Sequence, residues 1–246
     1  MLQRGVSFSI AAHCAWAPGI ETPEAWHAWA EAPFKTLGDA EPAVRQMPPM
    51  LRRRAGFLGK MALEVAYQCL AGRTGIPMVF CSRHGDVARA VNLLTELAQD
   101  NPLSPTSFGL AVHNANAGLF SIARVDQANH LALAAGASTI EHAIIEACSL
   151  LADGAAEVLL VAYDNCLPTL FKEFEDCAEQ PHAWAWLMQA AGSDSINLSW
   201  NVAPKESHAV QNSLPGSLDI MRFFLKQEPA MQRIAEGRIW TWSRNA

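Results

Sequence analysis

Short, mostly apolar runs alternate along this chain with stretches of helical periodicity. Residues 6–11, 76–81, 130–135 and 157–163 are runs of strand length, and the last is apolar enough to be buried on both faces. Between them, residues 23–30, 53–70, 86–99, 108–121 and 139–152 predict helices. Thr22 is placed to cap the first, with Pro23 at its first turn. Gly72 and Gly75 end the second. Asp86 caps the third, on which Val87, Val91, Leu94 and Ala98 line one face. The fourth is rich in Ala, Asn and Gly, small side chains that let another backbone approach, so it is expected to pack deep. Ser138 is the expected N-cap of the fifth, with Glu141 three residues on completing a capping box. Toward the C-terminus, residues 183–188, 196–202 and 238–242 read as strands, and 217–225 and 229–235 as short helices. This alternation predicts an α/β sheet covered by helices.

Half of the 246 residues are apolar and 17% are charged. A chain of that length can bury a core, and no linker or charge block divides it, so one domain is expected. The net charge of −6 argues against a nucleic-acid footprint. Arg52-Arg53-Arg54 is the exception, read either as a solvated helix start or as a dock for an acidic partner. The uncharged stretches are too short and broken to span a bilayer. The mildly apolar run 6–17 contains His13 and meets Pro18-Gly19, so it reads as a strand and turn rather than a cleaved signal. The six cysteines are scattered without framework spacing, as in reduced, buried thiols of a cytoplasmic protein.

The usual catalytic signatures are missing. Gly72-Arg73-Thr74-Gly75 is too short for a phosphate-cradling loop, and no Gly-x-Ser-x-Gly elbow occurs. Cys81 with His84, and His13 with Cys14, each give half of a zinc pattern without a second half, so no metal or other cofactor is expected. His113 and His142 lie on helices expected to be buried, His130 opens a strand and His208 lies in a polar loop. None is marked by position as the base for a nearby Cys or Ser.

Residues 128–163 have the layout of a site. A buried strand leads through a tight turn, Ala134 to Thr139, into a helix whose N-terminal dipole would activate a thiol. Ser104-Pro105, Asn114 with Ala117-Gly118, the strand 130–135, the helix 139–151 and Asp153-Gly154-Ala155-Ala156-Glu157-Val158 follow in order and spacing. Together they resemble the N-terminal half of a β-ketoacyl synthase, a thiolase-like condensing enzyme. The resemblance implies half of a ketosynthase fold, a mixed sheet layered with helices and a divergent C-terminal tail. Residues 1–190 would form the synthase-like domain, with 191–246 an extension packed on it.

On that register the nucleophilic Cys falls on Ala137, with Ser138 and Thr139 after it, and Ala128-Asn129 stand where the family has Gly-Pro. The second half, which supplies the family's two catalytic His, is not found after Tyr163. The resemblance is therefore to the chain length factors of type II polyketide and aryl polyene systems, Cys-less subunits that pair with an active ketosynthase. It implies no condensing activity, and a full-length ketosynthase as partner in a heterodimer or heterotetramer. An acyl carrier protein is a further candidate partner, with Arg52, Arg53 and Arg54 the place to look for its dock. Phe108, His113, Asn114, Asn116, Leu131, Leu133 and Ala135 are the implied interface and acyl-tunnel residues, with ordinary core packing as the alternative for each. Two other readings stay open: an acyltransferase or malonyl decarboxylase on the same fold using Ser138, and a homodimeric scaffold with no acyl connection.

Overall fold

Period-two burial on three central strands assigns each side chain to one of two cores. The computed structural model describes residues 5–204 and 214–245. Strand β1 spans Gly5–Trp16, β2 Met78–Cys81, β3 His130–Leu133, β4 Val158–Asp164, β5 His182–Ala190, β6 Ile196–Val202, β7 Ala230–Ala235 and β8 Arg238–Arg244. On β4, Val158, Leu160 and Ala162 face one core while Leu159, Val161 and Tyr163 face the other; β2 and β5 alternate in the same way. Strands buried on both sides must be apolar throughout, which is why these runs carried so little polar patterning.

The strands form one mixed sheet in the order β3-β2-β4-β5-β1-β6-β8-β7. β2 is parallel to β3 and β4, and every other pairing is antiparallel. Helices α1 (Pro23–Glu31), α7 (Thr139–Ala152) and α8 (Gly216–Leu225) supply the core on one face. Helices α3 (Phe57–Leu70) and α6 (Ala115–Arg124), with Val44 and Met47, supply it on the other.

Several elements differ from the sequence reading, each for a physical reason. β1 runs five residues past Ala11, carried across a bulge between Ile10 and Ala12 by its pairing with β5. The helix expected over 53–70 begins only at Phe57 as α3, preceded by a separate short helix α2 (Pro49–Arg52), so the arginine run closes a short helix instead of starting a long one. The helix expected over 108–121 likewise divides into α5 (Pro105–Gly109) and α6, with His113 in the turn between them. Ser104 caps α5 by accepting the Ser107 N–H, a short start that the Ser-Pro pair favours. Of α6 only Ala117, Leu119 and Phe120 are buried, so the segment is not packed deep throughout. Helix α4 (Val87–Ala98) begins at Asp86 as expected, but it buries Leu93 and leaves Leu94 and Leu97 more than half exposed.

Residues 229–235, read as a helix from their Ala, Met, Gln and Arg, form β7. The signal overlooked was Glu236-Gly237, both at positive φ (49° and 68°), a two-residue hairpin turn that pairs β7 with β8 and overrides helix propensity. All six cysteines are free, but Cys166 is exposed and Cys14 and Cys177 only half-buried, so the expectation of buried thiols holds for three. No helix among the described residues is long and apolar enough to cross a membrane. His208 lies outside the described residues.

Candidate functional site

β3 hands the chain to α7 through a tight turn that ends in a 3-10 segment, Gly136–Ser138. Gly136 has φ +56°, the left-handed region that favours glycine, and a Cβ there would meet the mobile end of Glu236. Thr139, not Ser138, organises the turn: its Oγ1 accepts the Ala135 N–H (2.9 Å) and donates to the Gly136 carbonyl (2.8 Å). Ser138 is fully buried, and its hydroxyl donates to the Ala135 carbonyl at 3.2 Å. It makes no side-chain cap, and the expected capping box does not form.

Glu141, the residue expected to complete that box, is instead fully buried and ion-paired with Arg233 of β7. Arg233 also donates to the Ala137 carbonyl (3.3 Å), and its Nε lies 3.6 Å from Asp219 Oδ2 on α8. Two carboxylates thus share one guanidinium, and Glu141 Oε2 has no hydrogen-bond partner. Burial raises both carboxyls against the pull of Arg233, Asp219 to about 6.

Ala137 stands at the head of α7, facing a cavity of about 280 Å³. Its methyl group offers no nucleophile. Its N–H, the donor that could stabilise an oxyanion at this position, is taken by Glu236 Oε1 at 2.9 Å. The imidazole nearest in sequence is committed elsewhere: His142 Nδ1 donates to the Ser138 carbonyl (2.9 Å), and its ring packs edge-on to Trp240. The tail therefore folds back onto the degenerate turn through Arg233 and Glu236, residues sequence reasoning did not single out.

The far wall of the cavity is built on the C-terminal ends of β2 and β4. Arg83 makes a two-pronged pair with Asp176 (2.5 and 2.6 Å), which lowers the Asp176 carboxyl. Asp164 accepts from the Ser82 hydroxyl and the Arg83 N–H, both at 2.8 Å, while burial pushes its carboxyl up. Among the described residues no group of three or more His, Cys, Asp or Glu could hold a metal ion.

None of the candidate interface residues lines this cavity, although Ala135 adjoins it through Gly136. Among the described residues β3 pairs only with β2, leaving its other edge open, with Leu131 exposed and Leu133 and Ala135 half-buried. Phe108 on α5 is 64% exposed. His113 Nε2 donates to the Leu133 carbonyl at 3.1 Å, tying the α5–α6 turn to β3. Asn114, at the start of α6, is exposed. Asn116 turns inward instead: a Cβ on Gly59 of α3 would meet its Oδ1 at 2.5 Å. Val112, Ile122 and Val125, which sequence reasoning did not select, are exposed on the same stretch. In the arginine run, Arg52 donates to the Ala43 and Val44 carbonyls, while Arg53 and Arg54 are exposed and have no acidic partner among the described residues.

Known proteins give this geometry a context. The model of the β-ketoacyl synthase N-terminal domain matches residues 26–243. No curated protein matches the chain in sequence. A chain of the ketosynthase ApeO–chain length factor ApeC complex from Xenorhabdus doucetiae superposes with a TM-score of 0.84 at 26% identity, covering 97% of this chain and 100% of that one. A chain of the ishigamide ketosynthase/chain length factor shares the fold at 12% identity, with a TM-score of 0.75 and 98% and 99% coverage. A β-ketoacyl synthase from Burkholderia phymatum shares it at 12% identity and a TM-score of 0.61, and there 93% of this chain covers only 71% of the other. With the mixed sheet, the turn at the head of α7 and a family match over most of its length, this chain is a member of the β-ketoacyl synthase N-terminal domain family.

Proposed function

We propose that this chain is a non-catalytic, chain-length-factor-type subunit that pairs with an active β-ketoacyl synthase in fatty-acid or polyketide-type (aryl polyene) biosynthesis. The observation that carries the reading is the turn at the head of α7. It keeps the site's strand-to-helix geometry, yet Ala137 presents a methyl group and its N–H is held by Glu236. Condensation needs a thiolate and a stabilised oxyanion at one place, and this turn supplies neither. The match over the full length of a chain from a ketosynthase–chain length factor complex supports the same reading.

The open edge of β3 and the exposed Phe108, Val112, Ile122, Val125 and Leu131 form the surface for the partner. An apolar edge of this kind is a liability for an isolated chain and a ready template for strand pairing. Phe108, His113 and Leu131 would then border the partner's acyl tunnel. Asn116, packed inward, serves the core. Arg53 and Arg54 are free to meet an acidic carrier protein. Ser138, buried and bonded to a backbone carbonyl, gives no support to an acyl-transfer role. Co-expression with a ketosynthase from the same pathway tests the proposal. A stable complex that Leu131→Asp disrupts is expected, and a soluble, monodisperse homodimer that captures no ketosynthase would overturn it.

A further inference from the structure

We infer that the cavity facing Ala137 carries a second, hydrolytic site in which Ser217 is the nucleophile and His182 its base, acting on short acyl esters or thioesters. Ser217 is the second residue of α8 and lines the cavity. Its hydroxyl donates to His182 Nε2 at 2.6 Å. The tautomer follows from the other ring nitrogen: His182 Nδ1 lies 2.8 Å from the Gln180 carbonyl, which can only accept, so Nδ1 carries the proton and Nε2 is the free base. His182 is fully buried at the start of β5, and burial lowers its pKa against the opposing pull of Asp164, its cross-strand neighbour. The ring is therefore neutral, oriented and in contact with a hydroxyl. This is the arrangement an activated serine requires. Among the described residues no other serine that lines this cavity is hydrogen-bonded to an imidazole.

The place for the oxyanion is built into the same element. Gly216 and Ser217 are the first residues of α8, and among the described residues neither N–H donates a helical hydrogen bond. The first helical bonds begin one residue later, with the Leu218 and Asp219 N–H groups donating to the Pro215 carbonyl. Gly216 also lies directly beneath the Arg233 guanidinium, where a Cβ would come within 2.2 Å of Nη2. A carbonyl oxygen at this spot meets two backbone donors at the positive end of the α8 dipole, Arg233 itself being held by Glu141 and Asp219.

The step balances within the site. Ser217 Oγ adds to the acyl carbon as its proton passes to His182 Nε2. The tetrahedral adduct then expels the alcohol or thiol, which takes that proton as it leaves. Water, deprotonated by the same nitrogen, hydrolyses the acyl-serine and regenerates the hydroxyl. A cavity of about 280 Å³ holds a short acyl group, not a long one. A backbone carbonyl, not a carboxylate, orients His182, so turnover is slow compared with a full triad.

The test is phosphonylation by a fluorophosphonate probe, located by peptide mass spectrometry, with p-nitrophenyl acetate hydrolysis in parallel. The chain is used alone or, where co-purified, with the partner's thiol alkylated beforehand. Labelling at Ser217 is expected, with loss of label and about a hundredfold slower hydrolysis in Ser217→Ala. Ser138→Ala should leave both readouts unchanged. Because His182 is buried, His182→Gln is read only where its circular dichroism matches the parent chain. Failure to label Ser217, or a Ser217→Ala variant as active as the parent, would overturn the inference without touching the pairing with a ketosynthase.

Discussion

Replacing Arg233 with Met removes the single cation shared by Glu141 and Asp219 while keeping most of the side chain's apolar bulk. Glu141 is fully buried, so the variant must hold an unpaired carboxylate or protonate it. Removing one partner of a buried ion pair costs about 3–5 kcal/mol. The lower end applies here, because Glu141 already has its carboxyl raised by burial and takes up a proton readily. A loss of about 3 kcal/mol near pH 8 corresponds to a fall in Tm of roughly 6–12 °C for a domain of this size. The loss should shrink as the pH falls, because protonation of Glu141 and Asp219 removes the stranded charge. Urea unfolding followed by Trp fluorescence at about pH 8 and about pH 5.5 measures both values. The triple variant Glu141→Gln, Asp219→Asn, Arg233→Met should recover to within about 1 kcal/mol of the parent, since neither carboxylate that Arg233 held is then left as an unpaired charge. If Arg233→Met alone stays within about 1 kcal/mol of the parent at both pH values, the tail is not held on the turn by this pair.

Four further outcomes follow from the same geometry. Asp219 has its carboxyl raised to about 6, so the stability it contributes is fully present below the unfolded carboxylate value and is lost as pH rises through about 6. Asp219→Asn should flatten that part of the stability-versus-pH curve, by up to about 3 kcal/mol between pH about 4 and 7. Ala137→Cys should react slowly with iodoacetamide because Glu236 stands against it, and adding Glu236→Ala should speed alkylation about tenfold by removing a like charge from the thiolate. Gly136→Ala should lower stability by about 1–2 kcal/mol, measured by thermal unfolding, through its positive φ. Phe108→Asp, at a position 64% exposed in the isolated chain, should leave that chain's unfolding curve unchanged yet weaken capture of a ketosynthase in a pull-down by tenfold or more.

What the sequence revealed, and what it hid, divides along local and non-local lines. β4, α7 and the Asp86 and Thr22 caps were legible because an apolar run, a helical stripe or a capping side chain acts within a few residues. The turn at Ala137 was legible because strand, turn and helix are consecutive. Glu141 was assigned to a capping box since its spacing from Ser138 fits one, but its real partner, Arg233, lies 92 residues away. Glu236 and the Ser217–His182 pair were invisible for the same reason: only the sheet order brings them to the head of α7 or across the cavity. β7 was misread because its side chains favour helix and the Glu236-Gly237 turn was not weighed. Phe108, His113, Asn114 and Asn116 were drawn from one continuous helix, and its division at residues 110–114 sends Phe108 outward and Asn116 inward.

On this reading, condensation belongs to the partner and not to this chain. Malonyl and acyl carrier substrates, given to the purified complex, to this chain alone, and to a complex whose partner lacks its active-site cysteine, decide it by product formation. Product is expected from the intact complex only. Product from this chain alone, or from the complex with the disabled partner, would contradict it.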